Sequence, residues 1–413
     1  MSRQPYPKYR PSGVEWLGEV PQHWDAIPLK RTFVILNGST PRSSEPAYWD
    51  GEIPWATPDD LGDLKGNTLE TTRRMISQEG YESCGTSLAP AGSLVLSTRA
   101  PIGHLAVAGI SLCTNQGCRC LVFRNTDDHR FYYYQLLAAK GELESWGQGS
   151  TFRELSRDKL CAVRLLSPPS PEQRAIAAFL DRETARIDAL IEKKQRQIEL
   201  LQEKRTALIH QAIHHPGTKD LRLRHVANHV LRPIDRKDEE VYTAVGLYNW
   251  ARGIFHKEPK AGFDLGDSEF FWLKSDDLIL SGQFAWEGAV ALANEEEEGC
   301  VVSHRYPVLR GKPDLMDTAY LWAFFTTKRG HFFLDDHSRG AAGRNRPLNI
   351  NTLSKEVIPV PPLIEQRKVA EHVYFERRFK KVIASSIDLL QKYRAALISA
   401  VVTGKIDVRK EVA

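Results

Sequence analysis

The chain has 413 residues, 42% of them apolar, and carries 56 basic against 52 acidic side chains for a formal charge of +4. That length calls for two or three domains, and the apolar share supplies real cores, which excludes global disorder. So small a positive excess neither establishes nor excludes a nucleic-acid partner, because local placement of charge matters more than its sum.

Six cysteines (Cys84, Cys113, Cys118, Cys120, Cys161 and Cys300) are too few for a disulfide scaffold and suit a reducing, cytoplasmic setting. Met1 to Pro21 has no apolar signal core, and no run of about 18 apolar residues exists, so no membrane association is expected.

In chain order, residues 1–28 read as an irregular lead-in pinned to a core by Trp16, Leu17, Val20 and Trp24. Residues 29–167 form a first mixed module. Gly92 to Thr98 and Gly103 to Gly109 read as strands, Phe131 to Ala139 as helix, Phe152 to Leu160 as a short element and Cys161 to Leu165 as a strand. Residues 168–215 open at Pro168-Pro169-Ser170-Pro171, where Ser170 suits a cap and Pro171 the first helical position. The helix runs to Ala212, about 41 residues or about 60 Å. Ile187, Ile191, Ile198, Leu201, Leu208 and Ala212 recur at coiled-coil spacing before His214-His215-Pro216-Gly217.

Residues 216–360 form a second module, in which Asp277 to Gln283 answers Gly92 to Arg99 and Leu309-Arg310 answers Leu121 to Phe123. Residues 361–402 form a second long helix, beginning near Glu365, and residues 403–413 a tail. Pro168-Pro169-Ser170-Pro171-Glu172-Gln173-Arg174 returns as Pro361-Pro362-Leu363-Ile364-Glu365-Gln366-Arg367, and Leu200 to Ile209 returns as Leu389 to Ile398. From Glu172 to Arg205 the first copy is about one helical turn longer than the second, Glu365 to Arg394; a loop or bulge near Tyr374 to Lys381 is one way to absorb it. The predicted fold class is α+β, with two pseudo-twofold-related modules separated by two long antiparallel coiled-coil spacer helices. Ile187, Ile191, Ile198 and Leu201 are expected to form the seam with Val382, Ile387 and Leu390.

With those residues in place, the chain resembles the DNA-specificity subunit of Type I restriction-modification enzymes. The resemblance rests on Pro21-Gln22-His23-Trp24, Gly92 to Arg99, Asn115-Gln116-Gly117, Gly147 to Ser150 followed by Leu155-Ser156, both Glu-Gln-Arg helix openings, and Val402 to Asp407. It covers nearly the whole chain. It implies two target-recognition domains, each reading half of an asymmetric bipartite sequence in double-stranded DNA, and helices that fix the gap between the halves. The implied partners are two methyltransferase subunits, which carry S-adenosylmethionine and methylate adenine, and motor-nuclease subunits, which use ATP and Mg. The subunit itself is implied to be noncatalytic and to hold no cofactor or metal.

The residues agree with a noncatalytic role. The two Pro-Pro pairs follow Ser167 and Val360 and open helices, unlike the Asn- or Asp-Pro-Pro-aromatic site of an amino-methyltransferase, and no Walker A loop is present. Pro58-Asp59 with Asp63-Leu64-Lys65 imitates a nuclease cluster but reads as a turn, and Cys113, Cys118 and Cys120 lack zinc-finger spacing. Candidate DNA contacts are Lys30, Arg31, Arg99, Gln148, Ser150 and Thr151 in the first module. In the second they are Tyr248, Gln283, Arg339, Arg344, Asn345 and Arg346. Trp49, Trp55, Trp250 and Trp286 are weighed as base contacts against core packing. Glu295 to Glu298 is expected to face solvent, away from phosphate. Glu172, Gln173, Arg174, Glu365, Gln366 and Arg367 read as helix-junction or partner-contact residues. The competing reading is a two-module protein–protein scaffold that binds no DNA sequence.

Overall fold

The structure is a computed structural model that describes residues 4–124, 128–148, 153–340 and 346–411. It divides into two compact units, unit one being Met1–Ile191 with Ile387–Ala413 and unit two Glu192–Ser386. In unit one, β1 (Asp25–Pro28), β2 (Phe33–Asn37), β3 (Leu94–Ser97), β4 (Leu105–Ala108), β5 (Cys118–Phe123) and β6 (Arg164–Ser167) accompany α1 (His129–Ala138) and the start of α2 (Ser170–Ile213). In unit two the same parts recur as β7 (Lys219–Arg222), β8 (Ala227–His229), β9 (Leu278–Leu280), β10 (Val290–Leu292), β11 (Val308–Gly311), β12 (Val357–Val360), α3 (Thr318–Phe325) and the start of α4 (Leu363–Val402).

The repeat holds at the level of register. The main sheet of unit one runs β2-β5-β3-β4, with Thr68–Leu69 added at the edge, and that of unit two runs β8-β11-β9-β10. Leu94 faces Leu121 and Val107 as Leu278 faces Leu309 and Leu292. A second ribbon closes each module: Asp25 to Pro28 pairs with Ser167 to Arg164, and Lys219 to Arg222 with Val360 to Val357. The expected strand at Cys161 to Leu165 starts later, at Arg164, because Ser156 caps a short helix over Arg157–Ala162 by accepting from the Lys159 amide.

Each long helix starts on a proline carbonyl. Pro169 O accepts from the amides of Glu172 (2.8 Å) and Gln173 (3.0 Å), and Pro362 O from those of Glu365 (2.9 Å) and Gln366 (3.2 Å). Ser170 is therefore already inside α2, and α4 begins two residues before Glu365. Both helices are unbroken, at 44 and 40 residues, so the missing turn is a shorter helix and no bulge occurs at Tyr374 to Lys381. The end of α4 needs Gly404: its φ is +73°, and a Cβ there would lie 2.3 Å from Pro21.

The helix ends feed the cores. In unit one Ile176, Phe179, Leu180 and Ile187 of α2 join Leu397, Ile398, Val401 and Val402 of α4 around Trp24, Phe33, Phe131 and Tyr132. Burying an aromatic or leucine of this set stabilises the unit by about 1.5–3 kcal/mol per side chain. In unit two Ile209 and Ala212 of α2 meet Val369, Ala370 and Val373 of α4 around Tyr320, Leu321, Phe324 and Phe325. In each unit the start of one long helix meets the end of the other.

Ile191 and Leu390 pack against the unit-one core, and Ile198, Leu201 and Ile387 are half-buried. Val382 is a correction to the expected seam: it is 64% exposed, and the adjacent Ile383, at 2%, takes the inward position. Glu297 is a second correction. The run Glu295 to Glu298 does not all face solvent, because Glu297 is buried and returns its carboxylate to the Asn294 amide in a capping box. Among the described residues no helix is long and apolar enough to cross a membrane.

Candidate nucleic-acid interface

Two buried glutamines explain why the Glu-Gln-Arg element is duplicated. Gln173 accepts from the amide of Asp128 (3.3 Å) and donates to Pro168 O (3.0 Å). Gln366 does the same with the amide of Asp317 (2.8 Å) and with Pro361 O (2.7 Å). Asp128 and Asp317 are the N-caps of α1 and α3, accepting from Arg130 and from Ala319 and Tyr320 respectively. Each glutamine thus ties a module helix to a long helix through amide groups that would otherwise be buried unpaired. Arg174 and Arg367, next in sequence, are exposed. Glu172 is buried and receives His23 Nε2 at 2.9 Å, whereas Glu365 makes only a local pair with Lys368 at 2.7 Å.

In unit one the end of the sheet beyond Ser97 gathers several candidates. The amides of Thr98 and Arg99 donate to Gly117 O, and Leu155 N donates to Thr98 O. Gln148 and Glu154 exchange backbone hydrogen bonds at 3.0 and 2.9 Å. Arg99 Nε donates to Glu154 Oε2 at 3.0 Å, and Arg119 lies 3.9 Å from the other oxygen of that carboxylate. Gln148 is exposed beside them, and Gln116 bonds Thr40 nearby. Lys30 and Arg31 do not belong to this group. Phe33, just after them, pairs with Phe123, while Asn37 at the far end of β2 pairs with Arg119, so they sit at the opposite end of the sheet from Arg99.

Ser150 and Thr151, like Arg344 and Asn345, lie outside the described residues. Trp49 and Trp55 are core residues, packed edge to face at 5.2 Å with Ile76 and Cys113. Sequence reasoning passed over Arg119, whose signal was a lone cation within the apolar run Cys118-Arg119-Cys120-Leu121. Burial and the neighbouring charge of Arg99 lower its affinity for its proton, partly countered by Glu154. A phosphate is the kind of anion that would relieve this.

Unit two builds the corresponding end differently. Leu348 N donates to Gly282 O, Gly282 N to Arg305 O, and Ser338 bridges Leu348 across residues 339–347. Arg346 pairs with Asp335 at 2.8 Å, donates to Ser338 O and lies 4.9 Å over the ring of Trp286, whose indole N–H donates to Gln283 O. Arg339 is 79% exposed and, among the described residues, pairs with Asp336, one helical turn away. The hairpin Val245–Leu247/Ile254–His256 joins this end, because the amides of Trp250 and Ala251 donate to Glu287 O and Gly288 O. Tyr248 and Trp250 are exposed there. Gln283 and Arg346 therefore meet at one turn, Gln283 to Gly288, to which the Trp250 hairpin is also fastened. Arg305, whose carbonyl holds that turn, was not singled out as a contact from sequence.

The arrangement offers cations, amides and exposed aromatic rings on loops carried by a rigid sheet, the chemistry that contacts phosphates and base edges. Among the described residues no group of three or more His, Cys, Asp or Glu side chains is placed to hold a metal ion.

Comparison with known proteins follows the same lines. Residues 21–200 match the family model of the Type I restriction modification DNA specificity domain. The chain is 33% identical over 188 residues to the Type I restriction enzyme MjaIX specificity subunit of Methanocaldococcus jannaschii, across 45% of this chain and 43% of that protein. It is 28% identical over 184 residues to the EcoprrI specificity subunit of Escherichia coli, across 42% and 43% of the two chains. Each match spans less than half the length of the relative. A solved structure described as the structural basis of complex assembly and conformational transition of the type I R-M system superposes with a TM-score of 0.59. It covers 93% of this chain and 98% of the other at 15% identity, a likeness of fold.

Proposed function

We propose, from the match of residues 21–200 to the family model of the Type I restriction modification DNA specificity domain, that the whole chain is a noncatalytic specificity subunit. On this reading it binds an asymmetric bipartite duplex sequence and positions adenine methyltransferase and motor-nuclease partners. The observation that carries the reading is the element-for-element repetition of the two units. The same sheet register and the same glutamine junction recur, while the loops at the sheet ends differ in length, charge and aromatic content. A duplicated scaffold with diverged loops is what reading two unlike half-sites requires.

On this reading Arg99, Arg119 and Gln148 act on one half-site, and Gln283, Arg339, Arg346 and the Tyr248–Trp250 hairpin on the other. Lys30 and Arg31, at the opposite end of the sheet, are left for partner or backbone contact. Arg174 and Arg367, exposed at equivalent junctions, suit two identical methyltransferase subunits. S-adenosylmethionine, ATP and Mg belong to those partners. The test is methylome sequencing of a host that carries the chain with its methyltransferase. The expected result is a two-part motif whose modification is lost when the chain is deleted. Unchanged modification after deletion would favour the protein-only scaffold.

A further inference from the structure

Unit two contains a cleft of about 650 Å³ between the hairpin at Trp250, α3, and its own stretches of α2 and α4. Three buried side-chain nitrogens on its lining have no hydrogen-bond partner: Arg205 Nε, Trp322 Nε1 and His331 Nε2. Two of these are obligate donors, and Trp322 is 7% exposed. Such orphans are costly unless a ligand accepts from them. An acceptor-rich ligand is the group that satisfies all three.

The charge of the lining says what kind of acceptor. Arg205, Arg252, Arg377, Lys380 and Lys381 face a single carboxylate, Glu376. Glu376 is already saturated, accepting from Arg205 Nη1 at 2.8 and 3.0 Å and pairing with Lys380 at 2.5 Å. Arg377 is held inside, donating to Leu292 O, and its burial lowers its hold on its proton. Arg252 and Lys381 are exposed at the rim, where Lys381 pairs with Glu296, and the excess of cations over carboxylates on the lining favours an anion with several oxygens.

The lip of the cleft supplies a ring. Trp250 is 69% exposed, and Trp250 and Ala251 adopt φ of +61° and +50°, two successive left-handed residues without glycine. Backbone strain of this kind persists only where the surroundings enforce it. Here the two amides are fastened to Glu287 O and Gly288 O, and the indole lies parallel to the His331 ring at 5.8 Å. One face of the indole remains open for stacking.

We infer that this cleft binds a nucleoside phosphate, with the phosphate among Arg205, Trp322 and Arg377 and the base on Trp250. Unit one has a matching cleft. It has about 600 Å³, with Arg394 where unit two has Arg205 and Tyr133 where it has Trp322. Arg394, like Arg205, is ion-paired, with Asp188 at 2.9 Å, and its Nε is likewise without a hydrogen-bond partner, while Arg130 pairs with Asp181 at 2.9 Å. What unit two adds is the unpaired indole donor of Trp322 and the exposed ring of Trp250, the latter on the hairpin also assigned to a half-site.

The experiment is calorimetric titration of the intact chain, without duplex DNA, against AMP, adenosine, inorganic phosphate and a short single-stranded oligonucleotide. AMP is expected to bind more tightly than adenosine or phosphate. Trp322→Phe keeps the ring bulk but removes the donor, and it is expected to weaken AMP about tenfold. Trp250→Ala, at an exposed position that does not threaten folding, is expected to weaken it by about the same factor. Tyr133→Phe in unit one should leave AMP binding unchanged. An oligonucleotide that binds more tightly than AMP, with the same two sensitivities, would identify a strand as the natural source of the nucleotide. No AMP binding at millimolar concentration, binding indifferent to both substitutions, or phosphate alone binding as well as AMP would overturn the inference. Any of these would leave the duplex-reading proposal untouched, since no duplex is present.

Discussion

Where unit one has Ser93 before its central strand, unit two has Asp277. Ser93 makes one local bond, to Pro90 O at 2.7 Å. Asp277 is fully buried and gathers Arg232 at 2.6 and 3.1 Å, Arg310 at 2.7 Å and the Lys274 amide at 2.8 Å. Strands β3 and β9 carry the same register, yet one sheet is finished by apolar packing and the other by a buried ionic knot. The scaffold specifies which backbone atoms meet, and the side chains around it are free to differ. The same separation appears at the loop ends, where Glu154 holds Arg99 in unit one and Asp335 holds Arg346 in unit two from a different element.

The sharpest way to break the comparison is to remove the knot. Asp277→Ala strands two arginine partners and is expected to destabilise unit two by about 3–5 kcal/mol. Ser93→Ala is expected to cost unit one about 1 kcal/mol. Denaturant melts read by unit-specific proteolysis would measure both, and equal losses would contradict the contrast. Next comes the seam, where Ile383→Ala should cost about 2–5 kcal/mol and Val382→Ala less than about 0.5 kcal/mol. A larger loss at Val382 would restore the heptad placement expected from the sequence.

The glutamine junctions test what the units share. Gln173→Met and Gln366→Met each leave a cap amide and a proline carbonyl unpaired, and each should cost about 1–3 kcal/mol. Here the prediction is a loss in both units, somewhat larger at Gln366, which also donates to Leu315 O at 3.0 Å, and a loss confined to one would mean the duplicated motif has two different roles.

The smallest effect concerns the two caps themselves. Asp128 is buried, which raises its pKa, but hydrogen bonds and charge from Arg130 outweigh this and hold it below the usual carboxyl range. For Asp317 burial is the largest influence and raises it, against the Tyr320 and Ala319 amides and the charge of Arg367, which lower it less. The stability from Asp128 is complete above its unfolded pKa and is lost as pH falls through its lowered folded pKa. Asp317 is opposite in sign: its ionised form is penalised in the fold, so that penalty fades as pH falls through its raised folded value. Melting curves between pH 7 and pH 3 should show Asp128→Asn reducing acid sensitivity and Asp317→Asn not reducing it, each within about 1 kcal/mol.

The duplicated junction was legible because its chemistry is local: a proline carbonyl, a helix start and a buried amide lie within a few residues. The correspondence of Leu278 with Leu94 and of Leu309 with Leu121 was legible for a similar reason, since strand and turn recur together. Val382 was misplaced because a strict coiled-coil repeat drifts against a helix of 3.6 residues per turn, and here a one-residue shift brings Ile383 inward. Lys30 and Arg31 were grouped with Arg99 because charge alone does not reveal strand direction. The pairing of β2 with β5 separates them, and that pairing joins residues far apart in sequence. The cleft at Trp322 left no sequence signal, because its donors come from α2, α3 and the segment carrying His331.

The central claim is that each unit reads its own half of a bipartite site. Selection of duplexes from a random pool, with the chain assembled with its methyltransferase partner, tests it most directly when the intact chain is compared with Arg346→Ala. The account predicts two separated blocks of preferred bases for the intact chain. It predicts that the substitution relaxes one block, with a loss of about 1–3 kcal/mol for the bases concerned, and leaves the other unchanged. A single contiguous block, or both blocks relaxing together, would contradict it.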